Sequence, residues 1–355
     1  MDTDSSALFF RNVMLSAMIV GAVGSLSSLV LLQLAAPHYP SAAYLRDKLN
    51  LLGIGLLHMG ISRDKKWKKP AISGAIQFSE SAPTKTIIFI RHGESEWNEV
   101  FNRGFGRSFI GRVFRALKQE FKWLPTPESV FVDSSLSPLG IEQASMMARE
   151  LAARSDPDAM LLRGSSSDSQ KSIITCSNLR RSIQTALIGL RPRLEKTLEK
   201  VYVNTDLQEV TFNIDGIALA APYQAPALDS LMSHFPRKFS PDTMLDLTKN
   251  TGTKSLSSNG FLRFQGFLDW CFSREEDVII VAGGHSLYLR YLLRTYLPED
   301  FDYIGKHKKQ SNCGVLRFQI KQGYIRATSA DNSQKHQISY QIEPTSLHIV
   351  LGDFH

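Results

Sequence analysis

Short apolar runs alternate with longer segments of helical periodicity from residue 85 onward. The runs that predict buried strands are TIIFI (86–90), SIITC (172–176), KVYVN (200–204) and DVIIVAGG (277–284). Apolar residues three or four positions apart predict helices over 137–154, 177–190, 257–272 and 285–297. Near the C-terminus, GVLRFQI (314–320) and GYIRATS (323–329) alternate like a hairpin at a sheet edge. This order predicts a three-layer α/β/α sandwich around a mostly parallel sheet, because helical crossovers cover both faces of such sheets.

A stretch of different character precedes this pattern. Residues 13–36 carry no charge over 24 positions, and about 20 apolar residues suffice for a helix to cross a bilayer. A membrane anchor is the preferred interpretation. A cleaved signal peptide would need a basic start, but Asp2 and Asp4 precede Arg11. A buried core helix would normally show a polar face, and this segment offers only Ser, Gly and Gln.

Positive charge gathers after this stretch, most densely in RDKKWKK (63–69). The positive-inside rule therefore predicts a single-pass anchor with the rest of the chain in the cytosol. The alternative is a soluble or lumenal protein released by signal cleavage. Residues 50–61 are too few to span, so they lie at the membrane interface or pack on the main domain as a linker helix.

These segments predict three parts of the chain. Residues 1–40 form an N-terminal segment with one transmembrane helix, and residues 41–84 form a basic juxtamembrane linker. Residues 85–355 form the main domain.

Composition narrows the class of protein. The chain has 355 residues, 43% of them hydrophobic, which excludes collagen-like, coiled-coil and wholly disordered chains. Its net charge is +7. This excess indicates either an ordinary basic surface or a surface that attracts acidic lipid or a phosphorylated substrate. The three cysteines form neither a disulfide framework nor a zinc pattern. We therefore expect no metal, no cofactor and no nucleic-acid partner, since no motif for any of them is present.

One segment of the main domain is strongly basic. Residues 103–124 contain six Lys and Arg against one Glu, and four apolar residues recur there at helical spacing. These four are Phe109, Val113, Leu117 and Phe121. An ordinary amphipathic helix that covers the sheet is the preferred interpretation. The alternatives are a helix that lies on an anionic membrane and one that guides a polyanionic substrate.

Two histidines follow predicted strands directly. The strand TIIFI runs into RHGESEWN (91–98), and the strand at 277–284 is followed by His285. Open α/β sheets bind ligands at the carboxyl ends of their strands, so both histidines are candidates for one site. The other seven are interpreted as structural or surface residues, namely His38, His58, His234, His307, His336, His348 and His355.

The ordered motifs resemble those of a known family. RHGESEWN, LSPLGIEQA (136–144), SNLRRSIQTA (177–186), LQE (207–209) and GGHS (283–286) are similar to the motifs of the histidine phosphatase superfamily, also called phosphoglycerate mutase-like. The resemblance covers about 85–330 and implies the phosphoglycerate mutase-like fold.

The resemblance also implies roles for individual residues. His92 matches the nucleophile, and Arg91 and Arg181 match the arginines that grip the phosphoryl oxygens. His285 matches the second histidine, a further contact to the phosphoryl group, and Glu209 matches the acid that protonates the leaving oxygen.

Three neighbouring positions need separate interpretation. Asn98 matches a position that hydrogen-bonds the phosphate, and a cap or turn role is the alternative. Counting along SNLRRSIQTA assigns the phosphoryl-binding arginine to Arg181, so Arg180 is expected at the surface. Glu94 is expected to support its loop rather than to act as the acid.

The activity implied is that of a phosphomonoesterase working through a phosphohistidine on His92. Its substrate would be a phosphorylated small molecule or a phosphoprotein. The chain departs from the mutases by a long insertion at 99–132 and by the sequence LQEVTFNIDG around the acid, which favours hydrolysis. The alternatives are a mutase-type phosphotransferase and a catalytically silent binding or scaffold protein.

Overall fold

The computed structural model describes residues 28–67, 78–79, 81–104, 106–164, 171–228, 240–326 and 336–355. Within them the chain forms a mixed α/β fold around a central, mostly parallel sheet. The strands are β1 (Thr84–Arg91), β2 (Ser172–Ser177), β3 (Val201–Asn204), β4 (Leu245–Asp246), β5 (Val278–Gly284), β6 (Val315–Arg326), β7 (His336–Ile342) and β8 (His348–Leu351). The helices are α1 (Pro40–Ile61), α2 (Glu96–Phe101), α3 (Arg107–Trp123), α4 (Pro138–Ala153), α5 (Pro157–Leu162), α6 (Arg180–Gly189), α7 (Arg191–Thr197), α8 (Pro241–Met244), α9 (Gly260–Phe272) and α10 (Ser286–Tyr296).

The sheet has the strand order β4-β3-β2-β5-β1-β6-β7, and β8 pairs with β6. Neighbouring strands from β4 to β1 are parallel. β6 runs antiparallel to β1, β7 and β8. The prediction of a mostly parallel sheet is thus confirmed. Because β1 and β5 are adjacent, Arg91 lies opposite Gly284 at their carboxyl ends.

Alternate residues of β1 belong to two separate cores. Ile88 packs in a cluster that includes Met147 of α4 and Ile183 of α6. Ile87 packs in a second cluster that includes Phe264 of α9. Because successive strand residues point to opposite faces, helices cover both sides of the sheet.

The start of α4 forms as its sequence predicts. Pro138 occupies the first turn, where its missing N–H costs nothing. The Ser137 hydroxyl accepts a hydrogen bond from the Gly140 N–H at 3.1 Å and so caps the helix.

The predicted hairpin at 314–329 is wrong. β6 continues through Gly323, which pairs with Ser339 of β7 in an unbroken antiparallel ladder. The alternation on either side of Gly323 therefore belongs to one long strand. Residues 327–335 lie outside the described part of the chain.

Most of the predicted membrane anchor, residues 13–27, lies outside the described residues, and residues 28–35 are helical. Within the part of the chain that the structure describes, no helix combines the length and apolarity needed to cross a bilayer. Residues 50–61 belong to α1, which begins at Pro40. Its buried residues include Gly55, where an added Cβ would lie only 2.9 Å from Ile214. This helix therefore packs on the main domain along one side.

Candidate active site

Four adjacent strands bring the predicted residues to one edge of the sheet. His92 follows β1, His285 follows β5, Arg181 lies in the first turn of α6 after β2, and Glu209 lies beyond β3. The carboxyl ends of parallel neighbours share an edge, which explains why residues so far apart in sequence meet. A cavity of about 70 Å³ opens there. Its lining residues are Arg91, His92, Trp97, Asn98, Asn102, Arg181, Glu209, Thr211, Asn213, Asp215, Ser286, Leu287 and Lys309.

The His92 ring is held in one orientation by its own backbone. Its Nδ1 lies 2.6 Å from the carbonyl oxygen of Gly93. Because a carbonyl oxygen only accepts, Nδ1 must carry a proton, and the neutral ring keeps its lone pair on Nε2. Burial, with the nearby charges of Arg181 and Arg91, lowers the pKa of His92 well below its usual value. The residue is therefore a neutral imidazole at physiological pH.

Two buried guanidinium groups flank His92. Arg91 donates through Nη1 to the carbonyl of Gln310, and burial lowers its pKa to about 10, so it stays charged near neutral pH. Arg181 donates through Nη1 to the carbonyl of Asp215 at 2.8 Å. Its Nη2 lies 3.6 Å from a carboxylate oxygen of the same residue. Of the two carboxylates that line the described cavity, Asp215 pairs with Arg181 and Glu209 forms no ion pair with Arg91, so positive charge remains to attract an anion.

Arg180 is fully buried, so its predicted surface position is wrong. Its backbone N–H donates to Oδ1 of Asp133 and its Nε to the Asp133 carbonyl, both at 2.8 Å. Its Nη1 lies 3.0 Å from Glu128. Successive residues of a helix point about 100° apart, which is why Arg181 lines the cavity while Arg180 ties α6 to residues 127–133.

Glu209 is fixed by two backbone donors. Its Oε1 accepts hydrogen bonds from the N–H of Val210 at 3.0 Å and from that of Tyr288 at 2.9 Å. Tyr288 lies in the first turn of α10, where N–H groups lack helical partners. Oε2 is then the oxygen left without a hydrogen bond among the described residues, and the side chain lines the cavity.

His285 lies next to His92 rather than on the cavity surface. The two ring centroids are 5.0 Å apart, and His285 is fully buried and absent from the described residues that line the cavity. Its Nε2 lies 3.2 Å from the Ser182 hydroxyl. Burial lowers its pKa well below the usual value, and the positive charge of Arg181 lowers that pKa further.

A glycine allows this close arrangement of β5 and α6. Gly283 has φ of +80°, and a Cβ there would lie 2.3 Å from the backbone oxygen of Ser182. Both the left-handed backbone conformation and the lack of room for a Cβ atom require glycine at this position. Gly283 therefore lets the first turn of α6, with Arg181, approach the end of β5.

Asn98 lines the cavity, and its Oδ1 accepts a hydrogen bond from Asn102 Nδ2 at 2.9 Å. Glu94 has a different place: Arg103 donates to its two carboxylate oxygens at 3.0 and 2.6 Å. The Ser137 hydroxyl donates to it at 2.9 Å. Glu94 thus connects the loop after β1 to α4, in keeping with its predicted supporting role.

Several cavity residues were not predicted from sequence. Asp215 and Thr211 belong to LQEVTFNIDG, whose polar residues beside the acid were the available signal. Lys309 lies in the segment KHKKQ, which resembles any basic loop. Partial burial and the charge of Arg91 lower its pKa. Lys309 adds a third cation to the cavity wall.

The loop that carries Glu209 rests on a buried ion cluster. Lys254 Nζ donates to the carbonyls of Glu209 at 2.7 Å and Thr211 at 2.9 Å. It also pairs with Asp64 at 2.7 Å, and Asp64 pairs with Arg263. Burial lowers the pKa of Lys254 to about 8. Asp64, which follows α1, therefore helps to hold the loop that carries Glu209.

Among the described residues, no group of three or more His, Cys, Asp or Glu side chains is placed to hold a metal ion.

No protein-family model matches the chain, and no curated protein matches it in sequence. A mycobacterial glucosyl-3-phosphoglycerate phosphatase solved with VO3 is similar at 15% identity and a TM-score of 0.33, over 72% of this chain and 98% of the other. Phosphoserine phosphatase from Entamoeba histolytica, solved with 3-phosphoglyceric acid, is similar at 16% identity and a TM-score of 0.32, over 66% and 90%. Ecdysone phosphate phosphatase from Bombix mori is similar at 16% identity and a TM-score of 0.31, over 66% and 88%. Scores at this level say nothing about a reaction or a substrate. The chain resembles the histidine phosphatase superfamily in its ordered motifs, and these phosphatases are among the solved structures similar to it.

Proposed function

We propose that this protein is a phosphomonoesterase that hydrolyses phosphate esters through a phosphohistidine on His92. The observation that carries the proposal is the 2.6 Å contact between His92 Nδ1 and the Gly93 carbonyl. It leaves the Nε2 lone pair on a neutral ring between two arginines. A neutral, oriented imidazole is what nucleophilic attack on phosphorus requires.

The proposed reaction has two displacements. Nε2 of His92 attacks phosphorus, the ester P–O bond breaks, and Glu209 gives a proton to the leaving oxygen. Water then attacks the phosphohistidine, Glu209 takes its proton, and phosphate leaves as the N–P bond breaks. Arg91 and Arg181 offer planar forks to the negative charge on the equatorial oxygens during both steps.

Asn98 and His285 would assist at the same centre. Asn98 lines the cavity with an amide that can donate to a phosphoryl oxygen. His285 Nδ1 is a buried ring nitrogen without a hydrogen-bond partner among the described residues. A further contact from it to the phosphoryl group would satisfy that nitrogen. The substrates proposed are phosphorylated small molecules or phosphoproteins.

The test is turnover of p-nitrophenyl phosphate by the full chain, with the phosphoryl label followed from substrate to protein. We expect release of p-nitrophenol and a protein-bound label that is labile in acid and stable in alkali. A scaffold protein would give neither signal, and a protein that retains the label without releasing phosphate to water would be a phosphotransferase.

The two neighbouring arginines provide a matched pair of variants. Arg181→Ala should lower kcat/KM about 10²–10³-fold, the usual loss for one oriented donor to a developing charge. Arg180→Ala should change kcat/KM much less per folded molecule and instead lower the midpoint of thermal unfolding, because the carbonyls of Asp133 and Pro127 and the carboxylate of Glu128 lose the guanidinium that donates to them. Steady-state kinetics and calorimetry on both variants measure this. A larger kinetic loss in Arg180→Ala would mean that Arg180, and not Arg181, binds the phosphoryl group.

We also propose that residues 13–36 anchor the protein with residues 85–355 in the cytosol. The support is the 24-residue uncharged stretch and the basic flank after it. After alkaline carbonate extraction, the full chain should stay with the membrane pellet, and a variant lacking 13–36 should be released. External protease should remove a C-terminal tag from sealed right-side-out microsomes. A shielded tag or a released full chain would contradict this topology.

A further inference from the structure

Helix α3 presents a stripe of large apolar side chains to solvent. Ile110, Phe114, Leu117 and Phe121 are 62%, 70%, 51% and 77% exposed. Their spacing of i, i+4, i+7 and i+11 places them on one side of the helix. Scattered exposed apolar residues are ordinary, but a continuous stripe with two phenylalanines is typical of a surface that binds something.

The opposite side of α3 is what attaches it to the domain. Ala116 is buried in a small core with Val100 and Val130, and Val113 and Trp123 pack against it. From the sequence, an amphipathic helix that covers the sheet is the expected arrangement for this segment. The structure differs, because the inward side is Val113 with Ala116, while Leu117 and Phe121 face outward.

Charge on the outer side of α3 has one sign. Lys118 and Lys122 follow the apolar stripe one position later on the helix and are exposed. No carboxylate of the described residues pairs with either of these two cations. The single acid of α3, Glu120, is turned inward, where it accepts hydrogen bonds from Ser129 Oγ at 2.9 Å and from the Val130 N–H at 2.6 Å.

We propose that the outer face of α3, its apolar stripe with the adjacent cations, binds an anionic lipid surface. Apolar side chains would enter the headgroup–acyl boundary while the cations remain at the phosphate level, the arrangement of interfacial amphipathic helices. The positive charge of this face is complementary to an anionic lipid surface and not to a second copy of the same face. Two copies joined symmetrically by this face would set cations against cations with no carboxylate to offset them.

This surface lies close to the candidate active site. α3 packs against α2, and Trp97 and Asn98 of α2 line the cavity. At the other end of α3, Lys48 of α1 donates to the Trp123 carbonyl. α1 carries its own exposed apolar residues on one side, among them Leu52, Leu56 and Met59. Lipid bound to α3 would therefore lie one helix away from the cavity.

The test places an environment-sensitive NBD probe on the full chain at Phe121→Cys. The three native cysteines are buried, so they leave the new thiol as the reactive one. With vesicles of phosphatidylcholine and phosphatidylserine, the emission should rise several-fold and move to the blue, but not with phosphatidylcholine alone. A probe at Leu198→Cys, 68% exposed near the start of β3, should not respond. Because the probe reports its own surroundings, an anchor elsewhere in the chain cannot produce this signal.

A charge variant tests the lipid selectivity. K118Q/K122Q should weaken the apparent affinity for anionic vesicles about 30-fold, because each basic residue near an anionic surface contributes about 1 kcal/mol and 1.4 kcal/mol corresponds to a tenfold change. Far-UV circular dichroism should match the parent. An unchanged probe with anionic vesicles, an equal response to neutral ones, or a shift without lipid as protein concentration rises would each overturn the proposal, the last in favour of a protein partner.

Discussion

His92→Ala should abolish nearly all phosphatase turnover. Losing a nucleophile that acts together with its neighbours typically lowers kcat by on the order of 10⁴-fold or more. In this variant Arg91, Arg181 and Glu209 would remain, but the site would lack the imidazole nitrogen that accepts the phosphoryl group. Rates of p-nitrophenyl phosphate hydrolysis and of acid-labile labelling should vanish together.

A second histidine variant controls for this result. The side chain of His307 is 61% exposed and pairs with Asp302 at the surface. His307→Ala should keep full activity, and thermal unfolding should show that both variants are folded. Retained labelling in His92→Ala would place the covalent intermediate on another residue and remove the basis of the proposed mechanism.

Asp64→Ala should destabilise the protein more than any surface substitution. Asp64 is 1% exposed and is the carboxylate that Lys254 and Arg263 share. Removing one member of a buried ion cluster leaves the others charged and unpaired, which typically costs about 3–5 kcal/mol. Because Lys254 also holds the carbonyl of Glu209, kcat should fall as well. Denaturant unfolding of the full chain measures the first effect, and steady-state kinetics measures the second.

Asp47→Ala is the matched control in the same N-terminal region. Its side chain is 46% exposed and pairs with the adjacent Arg46, so its loss should cost less than about 1 kcal/mol. If Asp64→Ala proved as stable as Asp47→Ala, the segment after α1 would not be an integral support of the loop that carries Glu209.

The fold was largely predictable because its signals are local. Buried parallel strands are short apolar runs, and each one predicted between 86 and 284 matches β1, β2, β3 or β5 to within one residue at its start, or lies inside it. The antiparallel edge of the sheet was less predictable. Polar and apolar residues alternate along the one long strand β6, with Gly323 inside it, as they would along two short strands. The two-residue strand β4 forms only because β3 lies beside it.

The candidate site was predictable where a residue follows a strand directly. His92 after β1 and His285 after β5 are placed by the chain itself, and motif position distinguishes Arg181 from Arg180. Burial was not predictable in the same way. The guanidinium of Arg180 can be buried because the Asp133 carbonyl and the Glu128 carboxylate accept hydrogen bonds from it, and those partners lie some fifty positions away.

By itself the sequence determined the alternation of strands and helices between residues 86 and 297, the resemblance carried by the ordered motifs, and the histidines that follow β1 and β5. The tertiary structure alone decided that Asp64 supports Lys254 across 190 positions and that Lys309 joins the cavity wall. It also decided that Leu117 and Phe121 face solvent while Glu120 faces inward. The physical reason is the sequence distance over which each effect acts. Periodicity and chain connectivity act within a few residues, whereas burial and ion pairing depend on which distant groups the completed fold brings into contact.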